Sequence, residues 1–139
     1  MPSFGARSLS RLETCHQDLQ RLFNVVIQRR DCTVLCGVRT KQEQDDAVAG
    51  GFSKVSWPNS KHNIKNDWEL SHAIDVAPYF PDRPHVRWDD LKSFYLFVGY
   101  VKGVADDLGI RIRCGADWDS DGDTQDQTFH DLPHFELIP

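Results

Sequence analysis

"FHDLPHFELIP", residues 129–139, places His130, Asp131 and His134 around a proline, directly before an alternating apolar run. The run "HFELI" (134–138) alternates as a half-buried strand does. A polar stretch feeding a strand is either a solvated turn or one half of a functional site. The remainder of the chain decides between these readings.

Three further short runs have strand character: "CTVLCGV" (32–38), "HAIDVAP" (72–78), which Pro78 stops, and "IRIRC" (110–114). Helical spacing joins Leu12, Cys15, Leu19, Leu22, Phe23 and Val26 into one amphipathic helix, entered through a capping-box pair, Ser10 and Glu13, and ending at Arg29 and Arg30. "KQEQDDAVAGG" (41–51) reads as a short polar helix closed by glycines. From Trp88, the residues Leu91, Phe94, Tyr95, Val98, Val101, Ala105 and Leu108 recur in steps of three and four up to Gly109, a C-cap. This order predicts an α+β fold, a small antiparallel sheet with packed helices. The length of 139 residues predicts a single domain spanning 1–139. Long connections, 51–71 and 115–133, are the places to look for function.

Composition removes several classes. No run approaches the roughly 20 apolar residues that span a bilayer, and the polar stretch Met1–Arg11 predicts no secretion signal. The chain carries a net charge of −5, and Cys114–Pro139 holds six Asp and one Glu with no Lys or Arg. Without a basic stripe, nucleic acid is not an expected partner. The four cysteines show no CxxC spacing; Cys32 and Cys36, on one strand, would stand about 13 Å apart, so buried thiols are expected rather than a disulfide or a metal site.

The histidines supply the sharper signal. A hydrolytic zinc site needs three protein ligands and an open position, and neutral imidazoles with one carboxylate suit it. His62 in "NSKHN", His72 and Asp75 in "SHAID", and His130 and His134 in "FHDLPH" all lie where loops meet strands. "SKH" (60–62), "SHAIDVAPY" (71–79) and "DLPHFEL" (131–137) together resemble the three signature segments of zinc peptidases of the D-alanyl-D-alanine carboxypeptidase type. "GVRT" (37–40) with Gln44 resembles that family's arginine segment, and "LGIRIRCGADW" (108–118) is similar to a run in phage endolysins that cut the L-alanyl-D-glutamate bond of peptidoglycan. The five segments occur in the right order from about residue 10 to the C-terminus.

The resemblance implies that His62, Asp75 and His134 are zinc ligands, that Asp131 is the catalytic carboxylate, that Arg39 holds a substrate carbonyl or carboxylate, and that Ser60 contacts substrate. The chemistry agrees. Asp131 stands close enough in chain to His134 to face a reacting water as general base, and the planar fork of Arg39 can stabilise an oxyanion. The chain departs from the pattern in two places. Twelve residues separate His62 from Asp75, more than in the family, and Ser71 replaces a glycine. The additional "NIKNDWEL" (63–70) is expected to form an enlarged loop beside the site. It makes His72 a rival ligand to His62, although the odd spacing of His72 and Asp75 would send them to opposite faces of a strand. His130, next to the base, is either a supporting residue or exposed; His16 and His85 read as surface residues.

"DWDSDGD" (117–123) matches the opening of a calcium loop, with Asp117, Asp119, Asp121 and Asp123 at alternate positions but Thr128 where a bidentate Glu would close it. Calcium binding and a solvated acidic turn are both open readings. The function implied is a zinc-dependent peptidoglycan endopeptidase, an endolysin that cuts the stem peptide between L-alanine and D-glutamate. It would be monomeric, held in the host cytoplasm before release and active on the wall in the periplasm. A D-alanyl-D-alanine carboxypeptidase or dipeptidase is the alternative enzyme. A non-catalytic metal-binding or wall-recognition domain is the alternative of another class.

Overall fold

The computed structural model describes residues 2–64, 68–123, 125 and 131–139. Four strands, β1 (Cys32–Cys36), β2 (Ala73–Pro78), β3 (Ile112–Gly115) and β4 (Asp131–Leu137), form one sheet in the order β1-β2-β4-β3. All three pairings are antiparallel, as the sequence predicts. The helices are α1 (Ala6–Leu12), α2 (Gln17–Val26), α3 (Lys41–Ala49) and α4 (Leu91–Leu108).

Strand alternation gives the sheet two different faces. Val34, Ile74, Val76 and Phe135 enter the apolar core with Leu19, Leu22 and Phe23 of α2 and Phe97, Val98 and Val101 of α4. Phe135 sits edge-on to both Phe23, at 5.4 Å, and Phe97, at 6.3 Å. Each such large side chain contributes about 1.5–3 kcal/mol through burial. The intervening residues Asp75, His134 and Glu136 therefore project from the opposite face, which carries the polar groups. In β1 the register shifts between Val34 and Cys36, so that Val34 pairs with Val76 but Cys36 pairs with Asp75. This bulge turns Cys36 from the core side to the polar side.

One expected helix is two. The segment predicted as continuous from Ser10 breaks at Glu13–His16: α1 begins earlier, at Ala6, and α2 starts afresh with His16 as N-cap, its Nδ1 accepting from the Asp18 N–H at 3.0 Å. The cause is tertiary. Ser71 donates its N–H to the Thr14 carbonyl at 2.9 Å and accepts from the His16 N–H at 2.7 Å, so Cys15 forms a β-bridge with the lead-in to β2. Those hydrogen bonds replace helical ones while Cys15 still buries its side chain. By contrast, α4 ends as predicted on Gly109, whose φ of 71° suits a residue without Cβ. The helix α3 is held by a full capping box between Thr40 and Glu43 that the sequence reading did not name. Among the described residues, no helix is long and apolar enough to cross a membrane. All four cysteines are free thiols, and Cys15, Cys32 and Cys114 are buried.

Candidate active site

Asp75 and His134 are direct partners across β2 and β4, both on the polar face. His62 reaches them from the connection after α3, and a dense set of local bonds fixes its approach. The Ser60 Oγ accepts from the His62 N–H at 3.2 Å, the Asn63 Oδ1 accepts from the Ser60 N–H at 3.1 Å, and the Arg39 N–H donates to the His62 carbonyl at 2.9 Å. The donor atoms of His62, Asp75 and His134 all lie within 4.8 Å of one another. His62 Nε2 and His134 Nδ1 are 3.2 Å apart, and each is 3.2 Å from Asp75 Oδ1.

The outer partners fix both imidazole tautomers. His62 Nδ1 lies 2.8 Å from the Gly37 carbonyl, which can only accept, so Nδ1 carries the proton and Nε2 presents its lone pair inward. His134 Nε2 lies 2.8 Å from Glu136 Oε1. Burial pushes the Glu136 carboxyl up, but the His134 contact, Arg113 and Lys61 outweigh this and hold it down at about 2, so it is an acceptor and His134 Nδ1 also presents a lone pair inward. Two nitrogen lone pairs and a carboxylate oxygen thus converge on one point, an arrangement that repels itself unless positive charge sits among them. Burial opposes a charged His62, yet the charge and hydrogen bond of Asp75 raise its pKa to about 10. Burial likewise raises Asp75, and the two histidines reverse that and lower it well below the usual carboxylate range. The donor set, its tautomers and its supporting hydrogen bonds fit a divalent cation bound by two imidazoles and a carboxylate, with room for a further ligand.

Asp131 opens β4 with its Oδ2 4.0 Å from His134 Nδ1, beside the converging group and outside it. Burial, then the charge of Asp75, raises its pKa to about 6, against the lowering effects of His134, His62 and Arg39. Gly115 makes its position accessible. A Cβ on Gly115 would fall 2.0 Å from the Asp131 carbonyl oxygen, so only glycine lets β3 approach here. Arg39 reaches Asp75 Oδ2 at 3.5 Å through Nη2 and donates to Gln44 Oε1 at 3.1 Å through Nη1. The fully buried Gln44 and Asn63 complete this brace: Asn63 Nδ2 donates to the Arg39 carbonyl at 3.1 Å and to Gln44 Oε1 at 3.2 Å.

The other expected residues divide. Ser60 lines the same cleft as Arg39, Asp131 and His134, and its hydroxyl also holds the turn that carries His62. His72 does not join the group. Its ring stacks on Trp68 at 3.6 Å and lies edge-on to His16 at 5.1 Å, bordering a separate recess. His130 and Thr128 lie outside the described residues, as do Lys65–Asp67 of the enlarged loop. In the acidic loop, ligand atoms of Asp117, Asp119 and Asp121 lie within 4.8 Å of one another. Asp123 is not part of that group, and Gly122 holds a φ of 83°. Backbone N–H groups of Asp121 and Gly122 donate to the Asp117 carboxylate, and Lys102 Nζ stands 3.6 Å from it.

Glu136 was missed from sequence, although its spacing of two from His134 on a predicted strand is the signal that places it on the same face. Gly37 and Gly115 lie within the segments "GVRT" and "LGIRIRCGADW", but their individual roles were not legible there, because they depend on contacts between segments distant in sequence.

A model of the phage L-alanyl-D-glutamate peptidase family matches residues 2–138 of the chain. The L-alanyl-D-glutamate peptidase of Escherichia phage T5 is 31% identical over 140 residues, covering 97% of each chain. In three dimensions the chain is similar to the Serratia marcescens L-Ala D-Glu endopeptidase ChiX, with a TM-score of 0.69, 23% identity, and coverage of 99% of this chain and 91% of that one. The chain belongs to the phage L-alanyl-D-glutamate peptidase family.

Proposed function

We propose that this protein is a zinc-dependent peptidoglycan endopeptidase that hydrolyses the L-alanyl-D-glutamate bond of the stem peptide. The observation that carries the reading is the convergence of His62, Asp75 and His134 lone pairs, with Asp131 just outside them. Family membership supports the peptidase activity and the substrate. His62, Asp75 and His134 would hold the zinc, which when bound supplies Lewis acidity and a water of lowered pKa. Asp131 accepts a proton from the attacking water as its oxygen bonds to the alanyl carbonyl carbon, then delivers that proton to the departing glutamate nitrogen as the C–N bond breaks. The Arg39 guanidinium faces the charge that develops on the carbonyl oxygen, and Ser60 contacts the peptide beside it.

The enzyme acts as a monomer on the bacterial wall in the periplasm, after release from the host cytoplasm; its phage relative supports the action on the wall. The loop at 117–123 takes a calcium ion through Asp117, Asp119 and Asp121, a reading supported by their proximity and by Gly122 at the sharp turn such loops require. Calorimetric titration checks it: heat that disappears in the Asp119→Ala, Asp121→Ala double variant supports the ion, and no heat at millimolar calcium rejects it.

Metal content read alongside turnover tests the site. The wild type should carry one zinc per chain; His134→Ala should lose zinc and activity together, and Asp131→Asn should keep zinc while losing about 10²–10⁴-fold in turnover. Loss of zinc from Asp131→Asn would make Asp131 a ligand and overturn its role as base.

A further inference from the structure

Gln44 is the buried residue of the otherwise polar helix α3, and with no exposed surface it does not touch a substrate. Both ends of its amide are engaged. Oε1 accepts from Arg39 Nη1 at 3.1 Å and from Asn63 Nδ2 at 3.2 Å, while Nε2 donates to Ser53 Oγ at 3.0 Å and to the Val55 carbonyl at 2.5 Å. A guanidinium only donates and a carbonyl only accepts, so the amide has one orientation here. Packing alone would be served by Leu or Met, without the cost of burying a polar group.

The two ends hold different parts of the site. Ser53 and Val55 line the same cleft as Arg39, Ser60 and Asp131, so Nε2 fixes a stretch of the cleft wall. Oε1 acts on Arg39. The guanidinium lies between Gln44 and Asp75, and its Nη2 stands 3.5 Å from Asp75 Oδ2, whereas a guanidinium free to close on a carboxylate forms paired bonds of about 2.7–2.9 Å. Both side chains are only 13% exposed, so water does little to weaken that attraction. Closure would draw positive charge onto a carboxylate of the converging group and away from the cleft.

Resting on the role given to Arg39 under the proposed function, we infer that Gln44 is a positioning residue for the hydrolysis. Its Oε1 holds the Arg39 guanidinium off Asp75 and toward the reacting carbonyl, and its Nε2 fixes the wall at Ser53 and Val55 against which the peptide lies.

Zinc affinity, read by competition with a chromophoric chelator, and the kinetics of muramyl peptide hydrolysis test this on the full-length chain. Gln44→Met keeps the volume and removes both ends of the amide. It should weaken zinc about 3- to 10-fold, as Arg39 closes on Asp75, and lower kcat about 10- to 100-fold. In an Arg39→Gln background the same substitution should change zinc affinity and kcat by no more than about twofold, because Gln44 acts through Arg39. Gln44→Glu keeps the acceptor for Arg39 and loses the donor to Val55. It should hold zinc affinity within about twofold and kcat within about threefold while raising KM about 3- to 5-fold. Equal losses from Gln44→Met with and without Arg39, or no loss with Arg39 present, would reduce Gln44 to a packing residue and overturn the inference. Should Gln44→Met fail to fold, Gln44→Glu decides: the KM effect alone supports the inference, and a loss of zinc or of kcat, or an unchanged KM, overturns it. The zinc measurements need no substrate. A wild type that leaves the alanyl-glutamate bond uncut while the zinc results hold would therefore overturn the proposed function and leave the grip of Gln44 on Arg39 standing.

Discussion

Asp75 and His134 face each other directly across β2 and β4, so the register of the sheet places Asp75 Oδ1 3.2 Å from His134 Nδ1. A one-residue slip would send Asp75 to the core face and bring Ile74 or Val76 to the site. The packing of Phe135 against Phe23 and Phe97 is what fixes that register, so the apolar core and the polar site are specified together.

The same strand alternation places Glu136 behind His134. Glu136→Gln should keep the fold and weaken metal affinity about 10- to 100-fold, because the amide no longer holds the His134 Nε2 proton as a carboxylate does. Competition with a chromophoric chelator checks this. Unchanged affinity would mean that Glu136 serves only Lys61 and Arg113.

Gly115→Ala should separate catalysis from metal binding. Its Cβ would meet the Asp131 backbone, costing about 1–3 kcal/mol of stability as β3 and β4 part. Turnover should fall more than zinc content, since His62 and Asp75 are untouched by the shift. A variant with normal turnover would show that Asp131 tolerates displacement.

The fold and much of the candidate site were legible because the decisive features are local. Alternation in "HAIDVAP" and "HFELI" marks β2 and β4, the apolar steps from Leu91 to Leu108 mark α4, and the order of the histidine and aspartate segments marks the site. The misreading at residues 13–16 has a tertiary cause: helical spacing continues through Cys15, but Thr14 and His16 trade their helical hydrogen bonds for bonds to Ser71, 55 or more residues away in sequence. The burial of Gln44 was hidden for a similar reason. A glutamine on a polar helix reads as exposed until the Arg39 guanidinium, Asn63 and Val55 carbonyl that surround it are known.

Activity should rise with pH through an acid limb set by Asp131, which must be ionised to take a proton. Burial and Asp75 raise its pKa to about 6, and a bound divalent cation adds a lowering influence, so the limb in kcat/KM should lie at or below pH 6. Removing the positive charge in Arg39→Gln should move the limb upward. A limb that survives in Asp131→Asn would assign the titration to another group.

Metal-free protein should show the opposite pH trend in stability. His62 has a folded pKa raised to about 10, so its contribution is complete below its unfolded value, near 6.5, and is lost as pH climbs through 10. Thermal unfolding of chelated protein should therefore weaken across that window. Zinc-loaded protein, whose His62 lone pair is already occupied, should lack this loss. Identical pH dependence in the two forms would separate His62 from the metal.

Mass spectrometry of fragments released from purified sacculi decides which bond the enzyme cuts. Digestion with the zinc-loaded enzyme should expose new D-glutamate amino termini and leave L-alanine on the muramyl lactyl group, with no free D-alanine. Release of D-alanine with the L-alanyl bond intact would rule out L-alanyl-D-glutamate cleavage and assign the same site to D-alanyl-D-alanine hydrolysis.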